Sequence, residues 1–301
     1  MGISGRPRRA GSEITRTLSR VPTRPTGQAP RGARGERALA PARRGPSIAG
    51  MGLLTRTRPP PPGGADDEVA FTGEFLVPGR TPTRIEADHR ARYAFAGAHV
   101  RGLRVLDAAC GTGYGTRMLR DAGAAHVTGM DVGDAQIAYA RRHFGGAGVD
   151  FVRGDVTCDG PTGAYDVVVS FETIEHVPDY AAALRTMRRV LVPGGLLVVS
   201  SPNRHVTSPR ARGLGSRPRN PFHAQEFTPA ELIAALRAAG FVPREPVYGQ
   251  RRRPVLPAAA RPLYRVAPVA ELLASPRPRP LRRGWTGRYV VVVARRDLGP
   301  A

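Results

Sequence analysis

The chain has 301 residues and a formal net charge of +22, carried by arginine alone: all 46 basic residues are Arg and none is Lys. Gly (36) and Pro (30) are raised with it, as a GC-rich genome would raise them, so the charge does not by itself imply a nucleic-acid partner. Two cysteines, Cys110 and Cys158, exclude a disulfide framework and predict an intracellular, cytoplasmic protein; no run approaches the ~20 apolar residues of a membrane span, and the N-terminus lacks the apolar core of a secretory signal.

The charge divides the chain in three. Residues 1–62 carry 13 Arg against Glu13 and Glu36, residues 63–203 carry 14 Arg against 17 acids, and residues 204–301 carry 19 Arg against 5 acids. Residues 1–64 lack hydrophobic periodicity and end in four prolines and two glycines, so they are expected to be a disordered Arg/Pro/Gly-rich leader. Three readings fit it: sequence upstream of a true start at Met51, a functional basic arm, or an Arg-rich transit peptide whose Pro and Gly spoil an amphipathic helix.

From residue 103 strands and helices alternate. Short apolar runs predict strands at Leu103–Asp107, His126–Met130, Val149–Val152, Tyr165–Phe171 and Leu196–Ser201. Between them, helical spacing covers Thr116–Ala122, Asp134–Phe144 and Tyr180–Val190. Thr228 before Pro229, with Glu231 three residues on, reads as a capping box opening a helix to Ala239, stopped by Gly240. Phe241–Tyr248 is read as a sixth strand and Tyr289–Ala294 as the last, with a Pro-rich insertion between them that holds one short helical patch, Val269–Ala274. The alternation predicts an α/β, doubly wound, Rossmann-like sheet of seven strands, mostly parallel.

In such sheets ligands lie beyond the carboxyl ends of the strands. Asp107, Asp131, Asp155 and Glu172 all fall there, although an Asp in such a place also serves as a helix cap. Asp107-Ala-Ala-Cys-Gly-Thr-Gly-Tyr-Gly115 follows the first strand, with glycines at 111, 113 and 115 that let the backbone turn and approach a ligand. The spacing is G-x-G-x-G rather than the G-x-G-x-x-G of dinucleotide binders, and the preceding Asp107 favours a cationic ligand over a pyrophosphate. Asp131, 20 residues after Gly111, suits a ribose diol. Cys110 is read as a small residue filling the turn.

Residues ~71–240 resemble class I S-adenosylmethionine-dependent methyltransferases of the small-molecule type, in a bacterial subgroup. The resemblance runs through VLDAACGTGYG (105–115), GMD (129–131), GD (154–155), YDVVVSFETIEHV (165–177) and RRVLVPGGLLVVSSPN (188–203), preceded by FTGEFLVPG (71–79) and HRARYAFA (89–96). It implies an antiparallel last strand beside the fifth. It implies one domain over 65–301, with residues 204–227 and 249–284 as substrate-side loop and insertion. It implies S-adenosylmethionine as cofactor, with Asp107, Gly111 and Gly113 lining its methionine end. Asp131 would hold the ribose hydroxyls, Val132 would pack on the adenine, and Asp155 would bond the adenine amino group with Val156 beside it. Phe171 and Glu172 would sit near the sulfonium, and Tyr93 would close over the cofactor.

For the chemistry, Glu172-Thr-Ile-Glu175-His176 follows the fourth strand, and His176 is the first candidate for general base. His223 and Glu226, in the loop before Pro229, are candidates for a second base or for substrate contact; His223 packing against Phe222 and Phe227 fits equally well. The E-x-x-E-H spelling resembles quinone-biosynthesis O-methyltransferases, where it is linked to a divalent metal, but it is also frequent without one, and no metal is assigned. Arg204–Arg219 holds five arginines and no acid; it fits a lid for a phosphorylated or carboxylated substrate, or arginines that are merely solvated. The expected reaction is methyl transfer to a hydroxyl of a small-molecule acceptor such as a sugar, glycan precursor or secondary metabolite. The basic flanks motivate a nucleic-acid methyltransferase as the alternative, against which stand the lack of interleaved aromatics and of an N-P-P-[YFW] signature.

Overall fold

The computed structural model describes residues 76–161, 164–255 and 275–298. The leader, residues 71–75 of FTGEFLVPG and the Val269–Ala274 patch lie outside the described residues.

The helix α1 (Thr83–Gly97) starts directly after Pro82, and Glu86 and Arg90 pair across one turn at 2.7 Å. Then come β1 (Arg104–Ala108), α2 (Tyr114–Asp121), β2 (His126–Asp131), α3 (Asp134–Phe144), β3 (Val149–Arg153), β4 (Tyr165–Phe171), α4 (Tyr180–Val190) and β5 (Leu191–Pro202). A single turn, α5 (Arg204–Thr207), precedes a loop and α6 (Pro229–Ala238). The chain continues as β6 (Phe241–Pro243), β7 (Tyr248–Pro254), β8 (Arg279–Pro280) and β9 (Trp285–Arg296).

The sheet order is β3-β2-β1-β4-β5-β9-β7-β8, with β6 also paired to β9. The first five strands are parallel, and β9 runs antiparallel between β5 and β7, pairing Pro202 with Tyr289 and Val198 with Val293. The Rossmann-like sheet and its antiparallel last strand are therefore as expected, but among the described residues the sheet has nine strands rather than seven. The expected sixth strand, Phe241–Tyr248, is split, because Pro243 and Pro246 each remove a ladder donor. The Arg251–Arg253 run, expected within the 249–284 insertion, continues β7. The fifth strand also starts earlier than expected: Leu191 pairs with Tyr165 before a register shift, and Gly194 (φ 74°) carries the chain through the irregular stretch.

Strand alternation builds two cores. Val105, Val127, Val167, Val169, Val198, Val291 and Val293 face α1 and α2, meeting Ala96 and Leu119. Their neighbours Leu106, Val168, Leu197, Val199, Val290 and Val292 face the other way, onto Leu184 and Met187 of α4 and Leu232 and Leu236 of α6. Burial on both faces explains the continuous valine runs, each fully buried side chain contributing about 1.5–3 kcal/mol. The capping box of α6 forms as expected: Glu231 N donates to Thr228 Oγ1 at 3.2 Å and Thr228 N donates to Glu231 Oε2 at 2.8 Å.

Candidate active site

The loop between β1 and α2 turns through positive φ at Ala109 (64°), Gly111 (55°) and Gly113 (83°). A Cβ on Gly113 would lie 2.6 Å from the Ala140 Cβ, and one on Gly115 would lie 2.0 Å from the Tyr93 ring. Gly115 thus admits Tyr93 from α1 against the start of α2. The Tyr93 hydroxyl donates to Asp107 Oδ1 at 3.1 Å, and Thr116 Oγ1 donates to Oδ2 at 2.7 Å. Asp107 is fully buried; burial raises its carboxyl to about 7 against these two hydrogen bonds, and Asp131 adds to the rise.

A cavity of about 1050 Å³ opens along the carboxyl edge of the sheet, wide enough for a cofactor and a second molecule. Its wall includes Tyr93, Gly111, Asp131, Val132, Asp155, Val156, Phe171 and Glu172 from the expected set. Asp107 and Gly113 are not on it: the first is covered by Tyr93 and the second backs onto Ala140 and Phe151, one layer behind the loop. Asp131 accepts from Gly111 N at 2.8 Å and from Gly133 N at 3.0 Å, which fixes its carboxylate at the end of β2. Val132 beside it is 60% exposed, an apolar side chain presented to the cavity. Asp155 accepts from the Thr157 N–H and hydroxyl, both at 2.7 Å, and these bonds hold its carboxyl below the ordinary value. Cys110 is buried with Ile137, Ala140 and Phe151, and burial pushes its thiol well up, as befits a space-filling residue.

The turn after β4 forms the other half of the wall. Glu172 sits at φ 52°, an uncommon conformation for a side-chain-bearing residue, and accepts from Ser200 Oγ at 2.7 Å. Glu175 is completely buried with neither carboxylate oxygen at normal hydrogen-bond geometry among the described residues; burial and the Glu172 charge push its carboxyl well up. His176 Nδ1 donates to the Phe222 carbonyl at 3.1 Å, so in the neutral ring Nε2 carries the lone pair. His223 stands edge-on to His176, ring centroids 4.8 Å apart. Its Nδ1 donates to Glu226 Oε1 at 2.8 Å and its Nε2 meets Asn220 Nδ2 at 2.8 Å. Burial raises the Glu226 carboxyl, but hydrogen bonds from His223, Thr207 and Ser208 outweigh it and hold it below the ordinary value. Glu175, His176 and His223 offer ligand atoms within 4.8 Å of one another, a spacing a divalent ion can bridge.

The structure thus brings His176, Glu172 and His223 onto one wall, together with residues the sequence did not single out: Tyr289, Arg288, Thr207, Asn220 and His89. Tyr289 and Arg288 could have been found. The last strand runs antiparallel, so its beginning, not its end, lies at the ligand edge. Of the five arginines in the 204–219 loop, Arg204 is buried and donates to the Glu226 carbonyl (2.9 Å) and Glu231 (2.6 Å), and only Arg219 reaches the cavity. Among the described residues no helix is long and apolar enough to cross a membrane.

A family model described as a methyltransferase domain matches residues 83–245. The probable S-adenosylmethionine-dependent methyltransferase of Mycolicibacterium smegmatis is 37% identical over 175 residues, 58% of this chain and 65% of that protein. A ubiquinone biosynthesis O-methyltransferase of Pseudomonas aeruginosa is 34% identical over 154 residues, 48% of this chain and 66% of that protein. The chain therefore spans just under two thirds of the length of these curated relatives. The solved S-adenosylmethionine-dependent methyltransferase of Mesorhizobium loti is 25% identical, covers 70% of this chain and 98% of its own, and superposes with a TM-score of 0.50. Its sheet, its glycine loop and these matches together make the chain a member of the class I S-adenosylmethionine-dependent methyltransferase family.

Proposed function

We propose that this protein transfers a methyl group from S-adenosylmethionine to a hydroxyl of a small-molecule acceptor. The observation that carries the reading is the His176 ring, whose Nδ1–H is committed to the Phe222 carbonyl so that Nε2 is the basic nitrogen, on the wall of a cavity that also holds Asp131 and Val132. The cavity suits the cofactor: Asp131 is fixed to accept from a ribose diol, exposed Val132 offers an apolar face to an adenine with Val156, and Asp155 can accept from its amino group. Gly111 lets the backbone approach the methionine end, while Asp107 and Gly113 act from behind the loop. Phe171, Glu172 and Tyr93 cover the region between the two halves, where the sulfonium would lie.

When bound, S-adenosylmethionine supplies an electrophilic methyl carbon. The protein's part is to hold the acceptor oxygen in line with it and to receive the hydroxyl proton. His176 Nε2 takes that proton, and the imidazolium so formed keeps its Nδ1–H on the Phe222 carbonyl. His223, anchored by Glu226 and Asn220, fixes the loop against His176. The Arg251–Arg253 run does not favour a nucleic-acid acceptor: Arg251 pairs with Asp88 at 2.7 Å, and Arg252 lies over Trp285 and donates to the Pro280 carbonyl. The compact Glu175, His176 and His223 group favours a second reading, in which these three side chains would hold a divalent ion that would lower the pKa of the acceptor hydroxyl. Turnover that survives exhaustive chelation excludes it.

The test is incubation of the full chain with methyl-labelled S-adenosylmethionine and either a small-metabolite extract or total RNA. Label in an ether-linked small molecule is expected; label confined to RNA, or none in either, contradicts the reading.

A further inference from the structure

We infer that the methyl acceptor carries an anionic group, a carboxylate or a phosphate, held by Arg219 and Arg288. The inference rests on the methyl-transfer reading of the same cavity. Among the described residues these are the arginines on its wall, and they arrive from two separate elements: the loop before α6, and the start of β9. Both are exposed, and neither forms an ion pair with a described carboxylate. Other arginines of the same region are committed inside the fold, Arg204 to Glu231 and Arg251 to Asp88.

The carboxylates on the same wall do not answer them. Glu172 accepts from Ser200, and Glu226 accepts from His223 and Thr207. Glu175 is completely buried. The Arg219 and Arg288 guanidinium groups line the same cavity as the histidine pair, and carboxylate and phosphate are the groups that their fork geometry matches. Arg219 precedes Asn220, which holds His223, and Arg288 precedes Tyr289, whose ring its guanidinium carbon overlies at 5.9 Å. An anion bridging the two would tether an acceptor on the side of the cavity where His176 Nε2 receives the proton. Phe222, 50% exposed on the same wall, offers an apolar surface to the rest of the acceptor.

The experiment uses the full chain, with and without S-adenosylhomocysteine, titrated with inorganic phosphate and separately with succinate by calorimetry. Saturable binding of at least one anion is expected, weakened about tenfold or more in the Arg219→Gln/Arg288→Gln double variant and unchanged in Arg217→Gln. The tighter of the two anions identifies the group. If the double variant does not fold, Arg288→Lys replaces it, since it keeps the charge but loses the fork. No saturable binding of either anion, or equal binding by wild type and variant, overturns the inference. Failure of the wild type to bind S-adenosylhomocysteine instead sinks the methyl-transfer reading, and the anion titration is read independently of it.

Discussion

His223 donates from Nδ1 to the Glu226 carboxylate at 2.8 Å, and Glu226 in turn accepts from Thr207 of the α5 turn. Two parts of the substrate-side wall, α5 and the loop before α6, therefore meet at one buried carboxylate, and the turn after β4 joins them through His176, edge-on to the histidine that this carboxylate anchors. His176→Ala should lower turnover by about 10²–10⁴ while leaving cofactor affinity unchanged. Glu226→Gln should cost less, because it loosens the loop without removing the base. Single-turnover kinetics beside calorimetry separate the two; unchanged turnover in His176→Ala removes it from the mechanism.

Asp107 gives a pH signature. Its carboxyl titrates at about 7 in the folded protein, against an ordinary aspartate value of 3.8, chiefly because it is buried. Between those values the folded state binds more protons than the unfolded chain, so this group's contribution makes stability fall as pH rises from about 4 to about 7. Asp107→Asn should flatten that slope. Urea midpoints at intervals across the window check it, and parallel curves for the two proteins would refute the assignment.

Gly115→Ala should destabilise the protein by about 1–3 kcal/mol, because the added methyl meets the Tyr93 ring at 2.0 Å. The displaced Tyr93 would also release its hydrogen bond to Asp107. Thermal unfolding measures the loss, and near-wild-type stability would show that Tyr93 has another low-energy position.

Thr228→Ala removes the side-chain half of the α6 capping box and should cost about 1 kcal/mol. Arg204 also reaches Glu231, so Glu231→Ala should cost more, through both the cap and the buried guanidinium. Denaturant unfolding of the two variants gives the order.

What the sequence made legible follows from how local each feature is. α3, α4 and β4 begin and end where the apolar spacing placed them, because their patterns are uninterrupted. β5 is longer than its apolar run because Pro193, Gly194 and Gly195 interrupt the pattern, while pairing with β4 on either side of them, at Leu191 and from Leu196 on, keeps the strand in the sheet. The glycine loop and the strand-end acids were visible as motifs. That Asp107 lies behind the loop was not, since Tyr93 covers it from a helix that packs there only in the folded chain. Arg288 and Tyr289 were missed for a topological reason: in an antiparallel strand the ligand edge is the beginning.

Calorimetric titration of the full chain with S-adenosylmethionine, beside Asp131→Ala, tests the central claim most directly. Micromolar binding to the wild type is the expected result, with a loss of at least about tenfold in the variant, corresponding to about 1.4 kcal/mol. No binding to the wild type, or equal binding to both proteins, would contradict the account.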